Sequence, residues 1–276
     1  MNDMLLEIND FYEQMKKDHT VFTLEDLNTD FFLSLCNCEK KNYLGEDFLD
    51  DFELSFFHMI DSFPDSIKQF YYENLPHVSI YHDPHLEHGF SYLEGDLNIH
   101  GIILPDGKMK EVDFFSYCHE LGHLPTLMNP TMEEAFEYGE VFPMFLEYLA
   151  CTYNNPEDGY QNYLSMMKWL LKEFSISYLK YDQLESNDYI KKLYASIQKK
   201  EHQKYFYSFD FCLQLIDKYQ ENSQSVFNQI SLYVLGKKSM KEISNDLNIH
   251  VNGCQEIERR LLRENEEDIV RNHESK

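Results

Sequence analysis

Apolar residues recur three and four positions apart over most of this chain, and the pattern changes in two short stretches of its middle. "DDFELSFFHMIDSF" keeps the helical interval and stops at Pro64, and "TLEDLNTDFFLSLC" opens with a capping-type Thr23-x-x-Asp26. Residues 1 to about 75 therefore read as helices. "PHVSIYHD" and "LNIHGIILPDG" are short, rich in β-branched residues, and end at Asp83-Pro84 and Asp106-Gly107, which predicts strands. From Val112 onward the pattern predicts helices over 112–128, 131–154, 159–181, 187–200, 202–219, 223–235, 238–247 and 252–266. The expected fold is mainly α with a small β-sheet just upstream of residue 112. The expected organisation is an N-terminal helical segment, 1–75, packed on a core of residues 76–265, with a polar tail, 266–276, that frays.

Composition narrows the class. The chain has 276 residues, 43 % hydrophobic and 15 % aromatic, enough for a sizeable core in one large domain or two small ones. A formal net charge of −25 repels nucleic-acid phosphates and anionic membranes and attracts basic ligands. No apolar run approaches the ~20 residues a membrane helix needs. "MNDMLLEINDFYEQMKKD" has no basic stretch before an apolar core and reads as no secretory signal. The six cysteines are scattered, and Cys36-x-Cys38 has no second pair to complete a metal site, so a reduced, cytoplasmic protein is expected.

"FSYCHELGHLP", residues 115–125, carries the chemistry. On a helix, His119 and His123 share a face and can offer two imidazoles to one ion. Glu120, about 100° further round, stands beside the ion, where a base can take a proton from water. H-E-x-x-H on a helix is the signature of zinc hydrolases for these reasons. Gly122 leaves room for close approach of backbone or substrate. Cys118 points away from His119 and reads as a small buried residue.

Catalytic zinc takes three protein ligands and leaves a position open. The next helix offers Glu133, Glu134, Glu137, Glu140 and Glu147. Glu140 is the favoured third ligand, 17 positions after His123, with Pro143 able to bend or start a helix and turn its carboxylate. Glu147, seven residues on, shares its face and can orient a ligand histidine. Spacing alone leaves Glu137, Glu140 and Glu147 open.

"EVDFFSYCHELGH" followed by "YGEVFPMFLEYLA" resembles the thimet oligopeptidase and oligoendopeptidase F family. The family's H-E-x-G-H helix, Glu ligand, proline and second Glu fall on His119, Glu120, Gly122, His123, Glu140, Pro143 and Glu147. The gap between the two parts is shorter than the family's, and Met-Phe follows Pro143 where the family usually shows Ser-Gln. "HQKYFYSFDFCLQLID" is similar to the family's Tyr-Tyr-x-Tyr helix, although strict alignment puts Phe206 and Phe209 on the tyrosine positions. "LYVLGKKSMKEISNDLNIH" is similar to its closing segment, and "IYHDPHLEHGF" faintly resembles the approach to its substrate-binding sheet.

The resemblance spans roughly residues 78 to 250 and implies a minimal zincin-like metallopeptidase core. It implies one Zn²⁺ held by His119, His123 and Glu140, with Glu120 as base and Tyr205, Tyr207 or His202 assisting at the oxyanion. It implies short peptide substrates pairing with the edge of the small sheet formed near 97–104, in a groove left open or roofed by a partner subunit in a homo-oligomer.

Three other features compete. His82, His85 and His88 in "HDPHLEH" could bind a second metal, touch substrate, or form an unligated polar turn. The C-terminal helices around "NIHVNG" resemble a helix-turn-helix whose Lys237, Lys238, Lys241, Arg259, Arg260 and Arg263 would meet phosphates, as in a regulator that cuts one protein. Glu242, Asp246, Glu256, Glu258, Glu264, Glu266, Glu267 and Asp268 interleave with those bases and break up any basic face. A non-enzymatic binding module on the same fold is the remaining alternative; intact His119, Glu120 and His123 argue against it.

Overall fold

The computed structural model describes residues 29–36, 52–83, 90–94, 99–105, 111–128, 138–182, 189–251 and 254–262, most of them helical. Helices α1 (Thr29–Cys36), α2 (Phe52–Ile60) and α3 (Asp65–Asn74) precede strands β1 (Val78–Asp83), β2 (Phe90–Glu94) and β3 (Ile99–Pro105). Then follow α4 (Glu111–Gly122), α5 (Leu124–Met128), α6 (Val141–Asn154), α7 (Gly159–Asp182), α8 (Tyr189–Glu221), α9 (Ser223–Val234), α10 (Met240–Leu247) and α11 (Gln255–Ile257). A π-helical turn, Glu258–Leu262, continues α11.

Two departures from the periodicity have local causes. The helices expected at 187–200 and 202–219 are one helix of 33 residues, because no Gly or Pro interrupts "KKEHQK", a stretch made mostly of good helix formers. The helix expected at 112–128 is two, broken at His123, because Pro125 has no N–H to give to the carbonyl four residues back. The Thr23–Asp26 cap, Cys38, the turns at Pro84 and Asp106-Gly107, Arg263 and the 266–276 tail lie outside the described residues.

The strands form a sheet of order β1-β3-β2. β1 runs parallel to β3, with Val78 opposite His100, and β2 runs antiparallel to it, with Phe90 opposite Ile103. β3 therefore has strands on both sides. A peptide cannot add at 99–105 and would have to pair with β1 or β2.

The chain divides into two compact units: one drawn from Met1–Lys41, Leu164–Asp210 and Val251–Lys276, the other from Asn42–Tyr163 and Phe211–His250. In the first, α1 lays Phe32 against Tyr178, stacked at 4.1 Å, and edge-on to Phe206 at 5.3 Å. Asp210, 1 % exposed, accepts hydrogen bonds from the Glu256 and Ile257 N–H groups at 2.8 and 3.1 Å. It caps α11 from a distance, a service that Cys254 at the cap position does not perform.

In the second unit, Phe56, Tyr71 and Tyr117 meet edge-on, and Phe142 packs on Tyr233. Helix α9 ends in a left-handed Gly236, φ 63°, with the Lys237 N–H bonded to the Leu232 carbonyl and the Gly236 N–H to Tyr233. Ser239 and Glu242 then cap α10 reciprocally.

Three of the basic side chains in the C-terminal segments face acids. Lys238 pairs with Asp246, and Arg259 and Arg260 both bind Glu256 Oε2. Arg260 is only 7 % exposed, which is poor provision for phosphate contacts. The described cysteines, Cys36, Cys118, Cys151, Cys212 and Cys254, are free thiols. Among the described residues no helix is long and apolar enough to cross a membrane.

Candidate metal centre

The centre lies within the second unit, where α4 meets α6. His119 is in the last turn of α4, and His123 follows Gly122 at the break. The His123 N–H bonds to the Glu120 carbonyl at 3.2 Å, a tighter turn than the helix before it. Glu140 sits at the cap position of α6, directly before Val141. Pro143 falls in that helix's first turn, where its missing N–H leaves no carbonyl without a donor, so a proline three residues after Glu140 starts the helix without bending it.

Three ligand atoms converge. Glu140 Oε2 lies 3.3 Å from His119 Nε2 and 3.6 Å from His123 Nε2. One ligand atom from each residue lies within 4.8 Å of the others. Ligands about 2.1 Å from a tetrahedral zinc stand about 3.4 Å apart, so this donor set and spacing fit such an ion. On the far side of the ring, His119 Nδ1 is 3.4 Å from Glu147 Oε2, the placement of a carboxylate that fixes a ligand histidine's tautomer and orientation.

Charge points the same way. Glu120, Glu140 and Glu147 are 5 %, 4 % and 7 % exposed. Three buried carboxyl groups beside two imidazoles gather oxygen and nitrogen donors of the kind that hold a cation. Burial opposes a charge on His119, but hydrogen bonds to Glu140 and Glu147, and the charges of Glu147 and Glu120, outweigh it and raise its pKa well above the usual value.

The sign follows. In the metal-free protein this raised pKa contributes stability below the unfolded histidine value of about 6.5, and the contribution is lost as pH rises through the higher folded value. A metal needs the neutral ring, so uptake displaces that proton and affinity falls as pH falls. Burial, with Glu147's charge adding, pushes the Cys118 thiol well up, which suits a buried inert residue.

Gly122 sets how closely the two helices approach. A Cβ built there would sit 2.8 Å from Pro143 N and 3.1 Å from its Cβ, and closer still to its Cα. The room that Gly122 leaves is filled by the backbone of α6, three residues from Glu140.

Tyr205, Tyr207 and His202 belong to the first unit. His202 stacks on Phe174 at 5.1 Å, and Tyr205 packs on Phe174 at 4.6 Å. Tyr207 is 3 % exposed, whereas His202 and Tyr205 are partly exposed. Glu133, Glu134, Glu137, His85 and His88 lie outside the described residues, as does the side chain of His82. Sequence reasoning passed over Tyr71, whose hydroxyl reaches the motif helix; Pro125, two residues past His123, was the available signal of a carbonyl needing a donor.

No family model matches the sequence, and no curated protein does. Two solved structures share the fold. One is an oligoendopeptidase F, TM-score 0.58 at 14 % identity over 97 % of this chain and 58 % of that one. The other is PZ peptidase A with an inhibitor, TM-score 0.56 at 14 % identity over 90 % of this chain and 56 % of that one. This chain thus spans less than two thirds of either structure and shares the fold of the parts it covers.

Proposed function

We propose that this protein is a zinc-dependent endopeptidase acting on short peptides, with His119, His123 and Glu140 as ligands of one Zn²⁺. The observation that carries the reading is the convergence of two imidazoles and one carboxylate at 3.3 and 3.6 Å, with Glu120 adjacent on the same helix. When bound, the ion supplies Lewis acidity, acidifying a water and polarising a carbonyl.

The chain's own residues do the rest. Glu120, buried at 5 % exposure, accepts the proton of the attacking water and then delivers it to the departing amine nitrogen. Glu147 holds His119 by Nδ1, so that Nε2 keeps its direction. The net charge of −25 favours basic peptides over acidic ones. The likeness to an oligoendopeptidase F and a PZ peptidase supports the peptidase reading at the level of fold.

The test is hydrolysis of a library of short internally quenched peptides by the zinc-loaded protein. Cleavage at internal bonds that stops on chelation and returns with zinc is expected. A zinc-loaded protein that binds these peptides and cuts none would replace the enzyme with a binding module.

A further inference from the structure

The motif helix is not one uninterrupted cylinder, and the way it breaks bears on the second ligand. The Leu121 carbonyl would take a hydrogen bond from the residue 125 N–H if the helix continued, but residue 125 is proline. Leu121 is fully buried, so no solvent meets that carbonyl. The Tyr71 hydroxyl, from α3, donates to it at 3.1 Å across 50 residues of sequence. Tyr71 is itself fully buried, and burial raises its phenol pKa well above the usual value, so it stays a donor.

Just past the break, Thr126 Oγ1 lies 2.7 Å from the Tyr233 hydroxyl. Between these anchors, the His123 N–H turns back to Glu120 and its carbonyl takes the Leu127 N–H at 3.0 Å. The direction of His123 relative to His119 is therefore set by a fixed break, not by helix periodicity alone.

Resting on the reading of His119, His123 and Glu140 as metal ligands, we infer that Tyr71 is a positioning residue for His123. It acts through the Leu121 backbone and stands in for the donor that Pro125 removes. The hydroxyl does this; the ring packs separately, edge-on to Phe56 at 5.0 Å and Phe70 at 5.3 Å. Tyr71→Phe deletes the one and keeps the other.

The test measures zinc affinity by competition with a chromogenic chelator, and the visible absorption of the Co²⁺-loaded protein, in wild type, Tyr71→Phe, Pro125→Ala and the double variant. Tyr71→Phe is expected to weaken zinc binding by about 10-fold, at the low end for groups that orient metal ligands, and to alter the Co²⁺ bands. Pro125→Ala restores an N–H to the Leu121 carbonyl, so removing the Tyr71 hydroxyl in that background should change affinity by less than about 2-fold.

A Tyr71→Phe protein that melts lower but binds zinc as tightly, with unchanged Co²⁺ bands, would make Tyr71 a packing residue and overturn the inference. If Tyr71→Phe does not fold, the double variant decides: with the Leu121 carbonyl satisfied by the residue 125 N–H it should fold and match the Co²⁺ bands of Pro125→Ala, and a double variant that does neither overturns the inference. A wild type that takes up neither ion removes the metal-site reading itself, and this inference with it.

Discussion

Glu120→Gln is expected to bind zinc with affinity within a few-fold of wild type and to cleave peptides about 10³- to 10⁴-fold more slowly, toward the upper end of what a positioned base contributes. Gln has nearly the shape of Glu, so the packing of a side chain 5 % exposed is kept. It has no basic oxygen, so it cannot carry the proton from water to amine. Glu120 is not among the three converging ligands, which is why affinity should survive while turnover does not. Quenched-peptide kinetics and a zinc competition assay measure the two effects separately. Undiminished cleavage would remove Glu120 from the mechanism.

Gly122→Ala is expected to lower zinc affinity by at least about 100-fold and to destabilise the fold by about 1–3 kcal/mol, the range for overpacking a tight site. Two effects oppose each other here. In a helix, Ala is favoured over Gly by about 1 kcal/mol, and Gly122 has no left-handed backbone that would forbid it. The added methyl, however, would lie 2.8 Å from Pro143 N and 3.1 Å from Pro143 Cβ. Backbone cannot swing aside as the end of a lysine would, so α6 must move. Glu140 is three residues before Pro143 and Glu147 four after it, so the shift reaches both carboxylates around His119. Thermal melts and the zinc competition assay read both effects. A stabilised variant with wild-type affinity would mean that the helices separate at no cost to the site.

Much of the centre was legible because it is local. His119, Glu120 and His123 fall within five residues, so the sequence alone brings them close together, and the seven-residue step from Glu140 to Glu147 needs only the next helix. The different places of Glu140 and Glu147 about the histidines were not legible, because they depend on where α6 begins and how near it comes to α4. Those are tertiary quantities; the Gly122–Pro143 contact expresses them, and it places Glu140 Oε2 within 3.6 Å of both histidine Nε2 atoms while Glu147 reaches Nδ1.

Strand order escaped for a similar reason. The sequence read strands only where β1 and β3 lie; it showed neither β2 nor that β3 lies between β1 and β2, which depends on pairings far along the chain. The Tyr71 bond to Leu121 spans 50 residues, and only Pro125 hinted that a donor was needed. The aromatic helix at 202–211 was the opposite case. Its Phe and Tyr spacing was plain, but whether a ring faces solvent or core is decided by neighbours such as Phe174.

The central claim is that His119, His123 and Glu140 hold one catalytic metal, and calorimetric zinc titration of the metal-free protein, repeated in two buffers of different ionisation enthalpy, tests it most directly. The account predicts one ion per chain, a net release of protons that grows as pH is lowered toward and below the raised pKa of His119, and loss of that binding in His123→Ala. Absence of binding, or binding that His123→Ala leaves unchanged, would contradict it.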